Sequence, residues 1–182
     1  MTVEQAIKAF YQRYDFGEDG GTNEKWAWIK FGFFSVPIPN LESRRKAVYL
    51  HDVSHIVTGH DTSWKGESAV SAWEVASGGW NKHYFPWLLT LWAMGLGVTF
   101  YPQFTLRAFK RGRKMRNALT SGLIKDEIFQ LPVTKLQERI SNQPTTNKNP
   151  YLWGVISFLV FALPFVGGSA AIRAIVKRWV NG

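Results

Sequence analysis

Apolar and polar residues alternate along most of the chain with the period of α-helices, and glycine, proline or polar clusters separate the runs. In the first run, VEQAIKAFYQRY, apolar residues recur every three or four positions, and Thr2 with Gln5 has the sequence of a capping box. We therefore predict an amphipathic helix, followed by a loop at 17–24. The next run, WAWIKFGFFSVPIPN, lacks clear periodicity and ends at two prolines, which predicts an extended, buried connection; no partner strand is evident elsewhere.

The centre of the chain predicts two helices joined by a short turn. Asn40 can cap a helix through LESRRKAVYLHDVSHIVT, and Gly59 can end it. Asp61 or Ser63 can cap the next helix, WKGESAVSAWEVAS, which Gly78-Gly79 closes. Because the connection GHDTS is short, the two helices should pack antiparallel as a hairpin.

Two long uncharged stretches mark the second half of the chain. The first, 84–106, contains prolines and glycines, so a broken, partly membrane-inserted helical pair or a buried core helix is expected, not a straight spanning helix. The second, 149–172, is the better membrane segment, although Pro164 and Gly167-Gly168 should break its later half. Between the two stretches, a further helix is predicted in TSGLIKDEIFQLPVTKLQERISN.

These patterns predict an all-α fold class: a compact helical domain built around the helix hairpin, with C-terminal membrane-associated helices. We place the helical domain at 1–141, a polar, proline-bounded linker at 142–150 and a C-terminal hydrophobic membrane segment at 151–182. No internal repeat is present in the sequence.

Composition and charge favour a lipid surface as a partner. The 182 residues include nine tryptophans and thirteen phenylalanines and carry a formal net charge of +9. Six basic residues lie in RAFKRGRKMR, at 107–116, directly after the first uncharged stretch. Such clusters beside aromatic-rich apolar segments are typical of contacts with anionic lipid headgroups, and no nucleic-acid-binding motif is present. The absence of cysteine excludes disulfides and thiolate metal ligands.

The charge distribution also bears on the side of the membrane. If both uncharged stretches spanned it, the basic loop 107–148 would be cytoplasmic and the N-terminal region would lie across the membrane. A shallow hairpin in the first stretch keeps the basic segments on one side, and we favour it. We predict a membrane-associated protein on the cytoplasmic side if it is bacterial, or at the mitochondrial inner membrane if it is eukaryotic, although the start of the chain has neither a signal-peptide pattern nor a targeting segment.

The segment HDVSHIVTGHDTSWKGE, at 51–67, holds three of the four histidines of the chain. His51 and His55 are four residues apart and Asp52 is three before His55, so the three project from one side of a helix. Glu67 lies one turn inside the next helix and faces them if the hairpin packs. Two imidazoles and two carboxylates suit a divalent metal, zinc first, with iron(II) or manganese as alternatives.

A simpler explanation is a polar helix surface, since a lone HxxxH is more often that than a metal site. Asp52 and Glu67 at their positions favour the metal. His60 and Asp61 lie in the turn and are explained as solvated or capping residues, and His83 as a structural one.

The hairpin predicts a second contact between its helices. Arg44 is seven residues before His51 and Glu74 is seven after Glu67, so both lie on the ligand face and should meet in an antiparallel pair. A salt bridge that braces the hairpin is the simpler role. The functional alternative is that Arg44 or Arg45 binds a carboxylate or phosphate of a substrate.

The spacing HDxxH, eleven residues, then Glu resembles the signature of the ubiquinone (coenzyme Q) biosynthesis protein 4 family. It is present here as His51, Asp52, His55 and Glu67. The basic ESRRKA before the motif, the TG after it and the Gly preceding the Glu are similar too, so the resemblance extends over about 36–80.

The resemblance implies a membrane-associated helical protein that binds a divalent metal, usually taken as zinc, through those four residues. It implies a role on a prenylated benzoate, whose C1 carboxylate is replaced by hydroxyl in an oxidative decarboxylation, or a scaffold for other quinone-pathway enzymes. The aromatic-rich segments can hold an isoprenoid tail. The apolar segment at 149–172 exceeds what a peripheral member needs, so membrane attachment is expected to differ.

Two other interpretations stay open at this level. HDVSH contains the His-Asp doublet of HD-type metal phosphohydrolases, but their site needs a separate upstream histidine and the chain has none before His51. Alternatively, a metal locks the hairpin of a non-catalytic protein that binds prenyl lipid. A closed four-ligand shell would favour this structural role, and an open coordination position would favour chemistry.

Overall fold

The chain forms eight helices and one two-stranded hairpin within the residues that the computed structural model describes, 1–31, 34–141, 143 and 147–181. Within these ranges the side chains at 27, 29–31, 34–36, 38, 43, 44, 46, 47 and 168–181 lie outside that description; Arg44 is one of them. The elements are α1 Val3–Tyr14, β1 Trp26–Phe31, β2 Phe34–Pro39, α2 Glu42–Thr58, α3 Trp64–Ala76, α4 Tyr84–Phe100, α5 Pro102–Gly112, α6 Lys125–Gln130, α7 Val133–Ile140 and α8 Pro150–Asn181. The all-α prediction is confirmed, with the small β-hairpin as an addition to it.

Capping residues set most of the helix boundaries in the first half. The backbone of Gln5 donates to the Thr2 hydroxyl and the backbone of Thr2 to the Gln5 side chain, so the predicted capping box forms. Gly59 ends α2 with a φ of 75°, and the Ser63 hydroxyl caps α3. The prediction of Asn40 as the cap of α2 is wrong. The N-cap position is Leu41, whose side chain makes no cap hydrogen bond, and the Asn40 amide donates to three carbonyls of the loop at 21–24.

Two parts of the run WAWIKFGFFSVPIPN, Trp26–Phe31 and Phe34–Pro39, form the strands of the β-hairpin. Strands β1 and β2 pair antiparallel, with Trp26 opposite Pro39 and Ile29 opposite Val36. The extended conformation of this segment was predicted. A strand was not predicted, because no partner strand was evident elsewhere in the sequence; the partner is the other half of the same segment. The expected burial is also wrong for the tryptophans, since Trp26 and Trp28 are 46 % and 62 % exposed.

Helix α3 lies between two hydrophobic clusters. One cluster contains α1, α2, α6 and α7 around Val53 and Ile128, and the other contains α4 and α5 around Met94 and Phe109. Every residue of α3 from Ser68 to Ala76 is buried, as expected for a helix with neighbours on all sides. This packing fixes the rotation of α3 and therefore which of its residues face α2.

Prolines account for several helix boundaries in the second half of the chain. The stretch 84–106 is a broken helical pair, as predicted, because α5 begins at Pro102, a position where proline is well tolerated. The single helix predicted at 120–142 is wrong, since Pro132 separates α6 from α7. The predicted break in the last segment is also wrong. Helix α8 continues through Pro164, as helices in apolar surroundings often do.

Helix α8 has the length and composition to cross a membrane. Its segment Pro150–Gly167 is apolar and only 6 % of it is buried, unlike the core helix of a soluble protein. Among the described residues it is the one helix that meets these criteria. It packs on α4 at a close crossing, where a side chain at Gly95 would collide with the carbonyl of Ser157. Insertion of 84–106 itself stays a prediction.

Candidate metal centre

Two histidines of α2 and one glutamate of α3 converge at the hairpin. Nε2 of His51 lies 3.1 Å from Oε2 of Glu67, and Nε2 of His55 lies 3.4 Å from Oε1 of the same carboxylate. The two Nε2 atoms are 3.2 Å apart. The predicted approach of Glu67 to the histidine face is therefore confirmed, and the three residues form a group that could hold a metal ion.

The hydrogen bonds of the outer ring nitrogens decide where the protons of the histidines lie. Nδ1 of His55 is 3.0 Å from the carbonyl of His60, which only accepts, so this nitrogen must carry a proton. Nδ1 of His51 is 3.0 Å from a carboxylate oxygen of Glu74 and is a donor for the same reason. In the neutral rings both Nε2 atoms then carry lone pairs, which face each other and the Glu67 carboxylate. Such a convergence needs a cation between the three groups, either a proton or a metal ion.

The distances agree with the second possibility. Ligands bound at ~2.0–2.2 Å around a tetrahedral metal lie roughly 3.3–3.6 Å apart. The two Nε2 atoms, 3.2 Å apart, are within about a tenth of an ångström of that range, and the contacts of 3.1 and 3.4 Å are made by the two different oxygens of the Glu67 carboxylate. With one ligand atom taken from each residue, the three atoms lie within 4.8 Å of one another. Histidine ligands also commonly donate their second N–H to a carboxylate or carbonyl, as both rings do here. The residues present thus fit a metal with three protein ligands.

The electrostatics of the group favour a proton on His51, which a metal would displace on binding. Burial acts to lower the pKa of His51, but the carboxylates of Glu74 and Glu67 outweigh it and hold this pKa well above its usual value. Burial acts to raise the pKa of Glu67, and the two histidines outweigh that effect and lower it to about 2. The glutamate is thus held ionised, which is the form that binds a metal.

Glu74 is a member of the site that the metal motif does not include. Its side chain is 1 % exposed and accepts from His51, while the hydroxyl of Thr90 lies 3.5 Å from its other oxygen. Trp80 donates to Thr90 at 2.8 Å and completes a buried chain of polar groups. The sequence placed Glu74 on the ligand face but assigned Arg44 as its partner. Because the Arg44 side chain lies outside the described residues, that contact stays a prediction.

Asp52 lies beside the group and faces α1. Its Oδ2 accepts a hydrogen bond of 2.7 Å from the hydroxyl of Tyr11, and its side chain does not join the three converging ligands. Burial raises the pKa of Asp52, and burial together with the Asp52 charge raises that of Tyr11. Tyr11 was not singled out by the sequence, because a tyrosine on the apolar face of an amphipathic helix looks like an ordinary core residue. The role of Asp52 as a fourth ligand stays a prediction.

A cavity of about 510 Å³ opens next to the ligand group, where α1, the α2–α3 turn and α5 meet. His55 is the ligand that reaches it. Arg45 does not line it and donates to the carbonyl of Asn40 at 2.9 Å. The residues around the cavity are Phe10, Arg13, Tyr14, His55, Ile56, Gly59, His60, Asp61, Ser63, Lys65, Gly66 and Phe104.

The turn residues of the cavity have structural partners. The ring of His60 packs on Phe104 with centroids 5.2 Å apart. Asp61 accepts hydrogen bonds from the backbone and hydroxyl of Ser63 at 3.1 and 2.6 Å, as expected for a residue in a turn. A side chain at Gly66 would collide with the Asp61 backbone, so glycine allows the turn to pack on α3. The turn is held firmly, and with it the spacing between the two helices.

Comparisons of the chain with protein-family models, with curated proteins and with solved structures found no match.

Proposed function

We propose that this protein is a membrane-associated, divalent-metal-binding protein of ubiquinone or prenylquinone biosynthesis that acts on the headgroup of a prenylated benzoate. The observation that carries the proposal is the convergence of the His51, His55 and Glu67 lone pairs beside a cavity. The HDxxH and glutamate spacing that resembles the ubiquinone biosynthesis protein 4 family supplies the pathway and the substrate.

His51, His55 and Glu67 would hold the metal, and zinc is favoured by two imidazoles and one carboxylate in a compact group. Three protein ligands leave a coordination position free, which is typical of catalytic rather than structural sites. When bound, the metal would supply Lewis-acid polarisation of a carboxylate or phenolate oxygen. Glu74 fixes the ring of His51, and the carbonyl of His60 fixes that of His55.

The proposed reaction replaces the C1 carboxylate of the benzoate ring by hydroxyl. The bond from C1 to the carboxyl carbon breaks and carbon dioxide leaves, while a new C1–oxygen bond forms with oxygen from water. Two electrons leave the ring, and dioxygen reduced to hydrogen peroxide takes them up together with the protons. The chain's own residues would bind and orient the headgroup and exclude bulk water.

The apolar surface supports a lipid substrate held at a membrane. Helix α8 is long and apolar enough to cross a bilayer, and Leu159 and Leu163 on it are 57 % and 63 % exposed. A prenyl tail of several isoprene units would remain in the bilayer while the headgroup enters the protein. We place the metal group on the cytoplasmic side in a bacterium, or at the mitochondrial inner membrane in a eukaryote.

The exposed apolar face of α8 also favours a second candidate, a non-catalytic scaffold that binds prenyl lipid and other quinone-pathway enzymes. In that role the metal would lock the α2–α3 hairpin. A fourth ligand from the protein, such as Asp52, would close the coordination shell and support this alternative. The HD-type phosphohydrolase is the weakest alternative, since no upstream histidine precedes His51.

Elemental analysis of the purified wild type beside His51→Ala tests the metal, and mass spectrometry of extracted lipid tests the substrate class. His60→Ala is the matched control, because its ring does not join the ligand group. We expect about one metal per chain in the wild type and in His60→Ala, none in His51→Ala, and a co-purifying prenyl lipid in all three. Turnover of a short-chain prenylated hydroxybenzoate then separates enzyme from scaffold. Absence of metal from the wild type would overturn the proposal.

A further inference from the structure

We propose that the cavity beside His55 binds the carboxylate of an aromatic acid, with Arg13 and Lys65 as the residues that contact the anion. The inference rests on the proposed function and deepens it, because it names the residues that receive the acidic headgroup. They differ from Arg44 and Arg45, the two cations that the sequence offered for this role.

The cavity has the dimensions and walls of a small-molecule site. Its volume of about 510 Å³ lies within the usual range for ligand pockets, about 300–1,000 Å³. Rings of Phe10, Tyr14 and Phe104 line it, so a planar aromatic ligand would meet flat apolar surfaces. Two helices and a fixed turn form the remaining walls, which gives a site that exists before the ligand arrives.

Two cations from different helices line this cavity. Arg13 projects from α1 with its guanidinium carbon 5.5 Å from the Tyr14 ring centre. Lys65 projects from α3 with its Nζ 4.6 Å from the ring centre of Phe104. In the part of the chain that the structure describes, neither cation has an ion pair with a carboxylate. Both are therefore available to an anionic ligand, and the rings hold them near the opening.

The one carboxylate of the lining does not neutralise them. Asp61 accepts two hydrogen bonds from Ser63, which hold its side chain within the turn. With Arg13 and Lys65 against this single acid, the wall has a positive balance even with neutral histidines. A guanidinium and an ammonium in the lining of one cavity favour a carboxylate over a neutral group of the same shape.

The cavity also adjoins the metal-binding group. His55 belongs both to the lining and to the metal-binding group, so a headgroup in the cavity would lie next to that group. Arg45, in contrast, is bound to the carbonyl of Asn40 and is absent from the lining. A ligand bound by Arg13 and Lys65 would therefore occupy the cavity that His55 also lines.

The test is calorimetric titration of the detergent-solubilised protein with two probes, 4-hydroxybenzoate and the neutral 4-hydroxybenzamide of the same size. The variants are Arg13→Met, Lys65→Met and the double variant. Both side chains are exposed, so the substitutions should leave the fold intact. Lys82→Met and Arg139→Met are controls, being exposed cations outside the cavity. Metal content is measured on every sample.

We expect the double variant to bind 4-hydroxybenzoate about tenfold more weakly, since each exposed cation–carboxylate pair is worth roughly two- to fivefold in affinity. Affinity for the amide should change less than about twofold, and the control variants should match the wild type. Equal losses for both probes, or no loss, would overturn the inference. So would competition by inorganic phosphate as effective as that of 4-hydroxybenzoate, since phosphate lacks the ring. If the anion-binding inference fails but the samples contain a full complement of metal, the proposed function is unaffected. If the wild type contains no metal, the proposed function fails, whatever the titrations show.

Discussion

Nδ1 of His51 lies 3.0 Å from Oε1 of Glu74, a carboxylate that is 1 % exposed and lies on the same face of α3 as Glu67. One imidazole thus connects a buried acid on its outer side with the ligand group on its inner side. The acid fixes the ring orientation and makes Nε2 a better electron-pair donor.

Glu74→Gln should weaken metal binding by about 10–100-fold while the protein stays folded, because the ring keeps a hydrogen-bond acceptor but loses the charge behind it. Competition with a chelator of known affinity measures the change. Glu138→Gln is the control, since that glutamate is exposed, pairs with Lys135 and does not belong to the ligand group. An unchanged affinity in Glu74→Gln would show that Glu74 is merely a core hydrogen-bond partner.

Asp52→Asn should retain about one metal per chain, whereas Glu67→Gln should lose it. The reason is that Asp52 is occupied by the Tyr11 hydroxyl and an asparagine can still accept that bond. Asp52→Ala removes the acceptor and should lower the free energy of unfolding by about 1–3 kcal/mol. Elemental analysis and thermal unfolding separate the two effects. Loss of metal in Asp52→Asn would restore Asp52 as the fourth ligand expected from the sequence.

The sequence predicted the part of the site that depends on local geometry. His51 and His55 share a face because four residues make about one helical turn, and a short turn brings Glu67 to them. The partners of Glu74 and Asp52 were not predictable in this way, because they depend on how α1, α2 and α3 pack and on side-chain rotamers. The β-hairpin was missed for a related reason, since pairing of one half of a segment with the other leaves no separate partner strand to find.

The same contrast holds for helix ends. Ser63 and Gly59 act through bonds within a few residues, and their roles were predicted. Asn40 instead bonds to a loop that lies far from it in sequence, so its capping pattern was misleading. Cavity residues such as Arg13 lie on an element that is distant in sequence from the metal motif. No rule of sequence spacing relates that element to the motif, so its residues were not predicted as part of the site.

Gly66→Ala should disrupt the metal group although the residue is not a ligand. A methyl at this position would collide with the backbone of Asp61, so the α2–α3 turn must move and carry Glu67 away from the histidines. Gly154→Ala is the matched control, because its methyl meets only Val98 at 3.9 Å. We expect a loss of about 1–3 kcal/mol in stability and of bound metal for Gly66→Ala alone. Full metal content in that variant would contradict a rigid turn.

Leu159→Asp should release the protein from the membrane. The residue lies within Pro150–Gly167 and is 57 % exposed, and an aspartate near the middle of a spanning helix costs about 2.5–3.5 kcal/mol on insertion. The measurement is the fraction that sediments with membranes after alkaline extraction. Ile124→Asp is the control, as Ile124 is 65 % exposed but lies outside α8. If Leu159→Asp stays in the alkaline pellet with the wild type, insertion of α8 is not what holds the protein in the membrane.

Lys148 should make the stability of the wild type rise with pH above about 8. Its Nζ donates to the carbonyl of Val75 at 2.6 Å and lies about 5 Å from the ring centres of Trp87 and Trp153, and burial lowers its pKa to about 8. In the unfolded chain a lysine has a pKa of about 10.4, so between these values the unfolded state holds more protons and the free energy of unfolding increases with pH.

The thermal midpoints of the wild type and Lys148→Met, measured in the same detergent from pH 7 to 10, isolate this effect. The thermal midpoint of the wild type should rise relative to that of Lys148→Met as the pH increases from about 8 to 10. The reason is that the charged ammonium, which burial disfavours, is then neutralised in the folded state. Titrations of other groups, including the buried Tyr11, are common to both proteins and cancel in the difference. Lys82→Met, at an exposed lysine, should follow the wild type throughout. A difference between wild type and Lys148→Met that stays flat or falls with pH would show that Lys148 titrates as in the unfolded chain and that its contacts with Trp87 and Trp153 do not desolvate it.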